Sequence, residues 1–236
     1  MKRALVTGST KGIGLAITEK LIEKGYFVYM NYAHDDGAAN MVRFAAKRYR
    51  IIKADLSTVA GARVLIDSIL SDEITLDCIV LNAGATCHKA FGDIVYDDWN
   101  DVMNANVNIP FLIGQNLNPI MTEYGSIVII GSDMGIYPHA VSSAYSVSKA
   151  ASHMLTRSLV KEFAKKSIRI NALAPGFIDT DWQKEKPGWL REKIESKIAL
   201  KRFGSADEVA GACMFLIENT YVNGAILQVD GGYSME

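Results

Sequence analysis

The chain has 236 residues, 49% hydrophobic and 22% charged, which suits one globular α/β domain with a large core. A formal net charge of −1 with dispersed basic residues leaves no electrostatic footprint for nucleic acid, and no apolar run approaches the ~20 residues of a membrane span. The three cysteines (Cys78, Cys87, Cys213) are unclustered, which argues against disulfides or a zinc site and favours a reduced, cytoplasmic setting; the opening MKRALVTGST is too briefly apolar for a secretory signal.

In chain order, residues 3–7 (RALVT) are predicted to form a strand ending at Gly8. GSTKGIG follows, and then a helix with Ile13, Ala16, Ile17 and Leu21 on one face, closing at Gly25. Gly8 permits a tight turn, and Gly12 and Gly14 let the backbone approach a pyrophosphate and the helix pack close to the strand. The helix N-terminus would offer N–H groups to phosphates. Because the spacing is not G-x-G-x-x-G, a plain strand–helix turn competes with this reading. Further strands are expected at 26–31, 50–56 (ending in Asp55 and Leu56), 76–81 (followed by Asn82, Ala83 and Gly84), 126–132, 168–173 and 225–232. Helices are expected at 35–49, 58–71, 97–121 (kinked or broken at Pro110), along the stretch holding Tyr145 and Lys149, and at 205–217. Alternating strands and helices, with several strands apolar on both faces, predict a Rossmann-type doubly wound parallel sheet of about seven strands. Gly8, Asp55, Asn82, Ser132 and Pro175 fall at strand ends, where such sheets bind a dinucleotide.

Tyr145 and Lys149 lie one helical turn apart. An ammonium beside a phenol lowers the phenol's pKa from about 10 and suits it to proton transfer. In isolation, a buried aromatic and a solvated lysine explain the pair as well.

Thr7-Gly8-Ser9-Thr10-Lys11-Gly12-Ile13-Gly14, Asn82-Ala83-Gly84, Asn106, Ser132, Tyr145-x-x-x-Lys149, Pro175-Gly176 with Ile178 and Thr180, Arg202-Phe203-Gly204 and Asp230-Gly231-Gly232 occur in order along the chain. In these segments the sequence resembles the short-chain dehydrogenase/reductase family, above all its 3-oxoacyl-carrier-protein reductases. The resemblance implies one domain over 1–236 with a substrate lid at about 177–202. It implies Tyr145 as general acid or base, Lys149 tuning it and holding the nicotinamide ribose, and Ser132 holding the substrate oxygen. Asn106 would anchor a water that relays protons; a plain helix residue bonded to backbone is the competing reading. Asp55 with Leu56 would meet the adenine, Asn82 to Gly84 the adenosine ribose, and Pro175, Gly176, Ile178 and Thr180 the nicotinamide side. Thr180 could instead cap the following segment.

An NAD-selective relative carries a carboxylate at the end of the second strand, where this chain has Tyr32 between Asn31 and Ala33. Asp35 and Asp36 read as the start of the next helix. Lys11, helped by His34, would meet a 2′-phosphate, so NADP(H) is expected ahead of NAD(H). Met134, Tyr137, His139, Phe177 and Trp182, with His88 and Trp189, are candidates to face substrate, and each is equally explicable by packing or surface position; His88 and His139 form no metal-ligand grouping. The expected reaction is NADPH-dependent reduction of a 3-oxoacyl thioester or small ketone, a step known from fatty acid biosynthesis. Thr122-Glu123-Tyr124 stands where carrier-protein reductases often carry docking cations, leaving Lys165 and Lys166. The alternatives are an NAD(P)-dependent dehydrogenase of a small alcohol, sugar alcohol or sterol, a carbon–carbon double-bond reductase, and a non-catalytic dinucleotide sensor. A homotetramer or dimer is implied by analogy.

Overall fold

Strands apolar on both faces need helices on both, and the computed structural model, which describes residues 1–44, 48–137, 142–184 and 186–235, has that architecture. The strands are β1 (Arg3–Val6), β2 (Phe27–Tyr32), β3 (Tyr49–Lys53), β4 (Leu76–Leu81), β5 (Met121–Ile130), β6 (Arg169–Pro175) and β7 (Ile226–Val229). They form one sheet in the order β3-β2-β1-β4-β5-β6-β7, with every pairing parallel. The helices are α1 (Gly12–Glu23), α2 (Asp36–Met41), α3 (Val59–Leu70), α4 (Tyr96–Met103), α5 (Ile109–Leu117), α6 (Ser143–Phe163), α7 (Asp181–Lys184), α8 (Gly188–Lys197) and α9 (Ala206–Glu218). None among the described residues is long and apolar enough to cross a membrane.

Alternate residues of each strand feed two cores. Ala4, Val6, Val80 and Val128 pack with Ile17 and Leu21 of α1 and with Val209, Cys213 and Leu216 of α9. Leu5, Ile79 and Ile127 pack on the other face with Leu65 and Ile69 of α3, Ile113 and Leu117 of α5, and Phe163 of α6. The register aligns Val6 with Met30 and Val80, and Ile130 with Leu173, so the strands end along one rim.

Three elements depart from the sequence expectation. Among the described residues, the helix expected at 35–49 is α2 alone, because Val42 turns extended and is buried in the core while Phe44 and Tyr49 form an edge-to-face pair. The long helix expected at 97–121 is two helices joined by a π-helical turn over Asn104–Asn108. Pro110, in the first turn of α5, has no N–H to give the Asn106 carbonyl, and the Ile109 N–H bonds Asn104 instead. β5 starts at Met121, earlier than expected; a register shift against β4 and a positive φ of 63° at Tyr124 separate that start from the regular ladder beginning at Ser126.

Candidate active site

The turn between β1 and α1 is built to bring backbone close to a ligand. Gly8 and Gly12 have positive φ, 58° and 55°. A side chain at Gly14 would collide with the Gly8 carbonyl and with Asn82, so the helix abuts the strand. Asn82 braces the turn from β4: its Nδ2 donates to the carbonyls of Thr7 (3.0 Å) and Gly8 (2.9 Å), while the Thr7 hydroxyl accepts from the N–H of Asn82 and of Ala83, both at 2.9 Å. Asn31 braces it from β2, accepting from the Gly8 N–H at 3.3 Å and donating to Ala54 at 2.9 Å. Ser9 and Thr10 are buried, and the Ser9 hydroxyl bonds the Asn31 backbone. The side chains of Asn82, Asn31 and Ser9 thus shape the cradle from behind. The N-terminus of α1 carries no capping side chain and no acidic residue in its first turn, which leaves N–H groups and the positive end of the dipole for a diphosphate. The cradle fits a dinucleotide.

Along the same rim, Ser132 follows β5 and both Tyr145 and Lys149 project from α6. The Ser132 hydroxyl accepts from the Met134 N–H at 3.2 Å, and it stands near enough to the Tyr145 phenol to act on its pKa, in the lowering direction. Lys149 is only 4% exposed. Its Nζ donates to the Ile130 carbonyl at 2.8 Å and lies 5.5 Å from the centre of the Tyr145 ring. The expectation that the ammonium lowers the phenol's pKa is corrected here. Burial pushes Tyr145 up to about 12, and the nearby Ser132 hydroxyl offsets only part of that. Burial also brings Lys149 down to about 8. The half-buried Tyr145 therefore keeps its proton at neutral pH.

Asn106 lies in the π-helical turn. Its side chain is occupied: Oδ1 accepts from the Ala85 N–H at 3.0 Å, and Nδ2 donates to the Ala85 carbonyl (2.8 Å) and the Ser148 hydroxyl (2.9 Å). Any group that Asn106 offers to water is thus its backbone carbonyl, which Pro110 deprives of its α-helical donor. Gly84 completes the cage; a Cβ there would lie 2.6 Å from Asn106 Oδ1 and 3.5 Å from Lys149 Nζ.

At the β3 end of the rim, the Asp55 carboxylate accepts from the Ser57 N–H at 3.0 Å, which with His34, 3.4 Å away, lowers its pKa. Leu56 is buried in the core. Asp35 caps α2 through the Ala38 N–H, as expected of a helix start, and also pairs with Lys11 at 3.3 Å. The Tyr32 hydroxyl and Lys53 both hold Asp36 at 2.8 Å, and Ala33 stays half-buried between these groups. Next to this end, a cleft of about 420 Å³ runs along Ala85, Cys87, His88 and Lys89 toward Asp98.

On the opposite side, Pro175 ends β6 and Gly176 bonds the Val229 carbonyl, with Asp230 packed where a Gly176 side chain would stand. Ile178 is buried and bridged to Gly204, whereas Thr180 lies over Gly12 and bonds the Ile178 carbonyl at 3.5 Å. Phe177 packs on Phe203 and Tyr233 in a small core with Ile194 and Ile198. Trp182 and Trp189 are exposed, as are Tyr137 and His88, and Met134 is half-buried. His139 lies outside the described residues. Sequence reasoning missed His153, whose buried ring stands against Gly131 and Gly135 on either side of Ser132. It also missed the Asn106–Ser148 bond; only the run of small residues in YSVSK hinted at such close packing.

A family model described as enoyl-(acyl carrier protein) reductase matches residues 8–234. A 3-oxoacyl-[acyl-carrier-protein] reductase of Aquifex aeolicus is 34% identical over 98% of this chain and 96% of its own length. Glucose 1-dehydrogenase 2 of Bacillus subtilis is 36% identical over 99% and 95%. A short-chain dehydrogenase/reductase structure from Serratia marcescens superposes with a TM-score of 0.91 at 30% identity, covering 99% of this chain and 98% of that one. The chain belongs to the short-chain dehydrogenase/reductase family. As a short-chain dehydrogenase/reductase it is an NAD(P)-dependent oxidoreductase acting on CH–OH or C=O groups. A blue fluorescent protein from a metagenomic library, solved with NADPH, also shares this fold, with a TM-score of 0.91 at 30% identity over 99% of this chain and 98% of that one.

Proposed function

We propose that the chain reduces a carbonyl, in a 3-oxoacyl thioester or small ketone, to a secondary alcohol with NADPH. The observation that carries this is the convergence of Ser132, Tyr145 and the buried Lys149 on the rim of the glycine cradle, with the Lys149 Nζ 5.5 Å from the centre of the Tyr145 ring and the phenol held protonated at neutral pH. A bound nicotinamide supplies the hydride. Gly8, Gly12 and Gly14, with the N–H groups of Thr10 to Ile13, would hold the diphosphate, while the Ser9 N–H ties the turn to the Asn31 carbonyl. Asp55 would hold the adenine, Ala83 and Gly84 the adenosine ribose, and Gly176, Ile178 and Thr180 the nicotinamide side. Ser132 donates to the carbonyl oxygen where negative charge develops. Tyr145 gives that oxygen its proton and regains one from Lys149, which is recharged through water at the Asn106 carbonyl. The lid over 177–202, with Met134, Tyr137 and Trp182 near its approach, would enclose the substrate.

Two observations favour a free substrate over one held on a carrier protein. Lys165 is paired with Glu162 at 2.6 Å, and Lys166 is spent on the carbonyls of Asn118 and Pro119. A sugar-alcohol or small-alcohol dehydrogenase working with NAD is the second reading. It is favoured by the Asp35 carboxylate beside Lys11, which competes with a 2′-phosphate, and by the likeness to a glucose dehydrogenase. A double-bond reductase fits less well, because Tyr145 and Lys149 are four positions apart and Ser132 is present on the same rim. We place the chain in the cytoplasm, in line with its three free, buried cysteines. NADPH consumption over acetoacetyl thioesters, small ketones, steroids and keto-sugars tests the reading. Tyr145→Phe should cut turnover by about 10²–10⁴ and leave NADPH binding intact. Wild-type rates in that variant would exclude the mechanism.

A further inference from the structure

The residue after Ser132 is Asp133, whose side chain is 4% exposed. A buried carboxylate costs free energy unless donors surround it. One donor comes from β7: Gln228 Nε2 reaches Asp133 Oδ1 at 2.9 Å across a separation of 95 residues, and reaches the Ser234 hydroxyl at 3.1 Å. Ser234 is itself fixed, since the Asp230 carboxylate accepts from the N–H groups of Gly232 and Ser234, both at 2.9 Å. β7 is not β5's neighbour; β6 lies between them. The bond therefore spans the rim above β6 and joins the loop leaving β5 to the turn leaving β7.

The loop it reaches is a compact knot. Ser132 Oγ accepts from Met134, the Ser132 carbonyl from Gly135 (2.9 Å), and the Asp133 carbonyl from Ile136 (2.8 Å) and Tyr137 (2.9 Å). Such a knot moves as one piece, so a tie at Asp133 locates the Ser132 hydroxyl against Tyr145. The far end of the tie also touches the lid's root: the Leu200 N–H bonds the Gly231 carbonyl at 3.1 Å, and Tyr233 meets Phe177 edge-to-face. We propose that Gln228 is a positioning residue for Ser132, acting through its hydrogen bond to Asp133. This rests on the function proposed above only in making Ser132 the residue that matters; the tie itself does not.

Polarity provides the test. In Gln228→Glu the donor becomes a carboxylate facing Asp133, whereas in the double variant Asp133→Asn/Gln228→Glu donor and acceptor are exchanged and the bond can re-form. Two readouts apply: hydrogen exchange at the amides of residues 134–137, which needs no substrate, and NADPH-dependent turnover of acetoacetyl-CoA or the best ketone of the screen. Gln228→Glu should speed exchange at 134–137 while the β4 and β5 amides stay protected. It should also lower kcat by about tenfold or more with the NADPH Kd within about twofold, as befits a lost charge-assisted bond. The double variant should recover most of both losses, which a role in volume-filling alone would not give. If Gln228→Glu does not fold, Gln228→Leu is read in the same way. Wild-type exchange and wild-type kcat in the single variant would overturn the proposal. If exchange responds and is rescued but wild-type protein reduces no carbonyl, the tie stands and the proposed function falls.

Discussion

His153 is a consequence of glycine. Its ring occupies the space left by Gly131 and Gly135, and its Nε2 finds no hydrogen-bond partner among the described residues. Burial, aided by Lys149 and Arg157, lowers its pKa from 6.5 to about 4. The folded state thus binds fewer protons than the unfolded chain between those values. Stability from this group is fully present above pH 6.5 and is lost as pH falls toward 4, up to ~3 kcal/mol. Thermal midpoints over that range should fall more steeply in wild type than in His153→Gln; parallel curves would refute the assignment. Gly131→Ala would drive a methyl into the same ring and should destabilise the fold by roughly 1–3 kcal/mol in urea titrations. Lys149 acts through its charge, which its depressed pKa removes as pH rises through about 8. kcat/KM for NADPH should decline above that value, and a flat profile to pH 10 would separate Lys149 from cofactor binding. That Tyr145 and Lys149 share one helix and that Ser132 follows a strand was legible from spacing, and their roles came only from the family resemblance; the phenol's environment was not legible, because desolvation depends on what packs around it.

At the scale of elements, helix ends settle several matters. Arg169, at the start of β6, is 8% exposed. It donates to the carbonyls of Leu216 (2.7 Å) and Ile217 (2.7 Å) at the C-terminus of α9, and of Val222 (3.3 Å). A cation there complements the helix dipole. Arg169→Leu should cost about 2–3 kcal/mol in a urea titration, by orphaning those carbonyls, while kcat of the folded fraction stays unchanged; an unaltered midpoint would count against this account. The serines of α6 bond back along the helix, Ser148 to Tyr145 at 2.7 Å and Ser152 to Lys149 at 2.8 Å, so small polar residues line a buried face. That face looked polar in the sequence, whereas Leu155, Leu159 and Phe163 carried the readable apolar period. The π-helical turn at Asn104–Asn108 was unreadable in detail: Pro110 announced a break, but whether a helix kinks, stops or widens is decided by Ala85 and Ser148 gripping Asn106.

At the scale of the molecule, the parallel sheet and the rim where its strands end were legible because strand ends can be counted, while the ion pairs at the β3 end of that rim were not. Lys11 was read as a phosphate ligand from its place in the turn; its partner Asp35 comes from another element. Asp35→Asn should therefore lower the KM for NADPH and leave that for NADH little changed, and the opposite order would favour the NAD reading. Phe111 on α5 and Val147 and Met154 on α6 are exposed, as is Phe215 on α9. We propose that such faces are covered in a dimer or tetramer, which light scattering would report as a multiple of 25.8 kDa; a mass of 25.8 kDa would refute it. The order of the strands bears finally on time. β7 has one strand neighbour, β6, and Ala225 reaches back 54 residues to the Asn171 side chain. As an edge strand, β7 can add to the sheet only once β6 is in place, which makes it a natural latecomer. Since the Gln228–Asp133 bond exists only once β7 has docked, refolding protein should regain its helical signal first and its capacity for turnover afterwards.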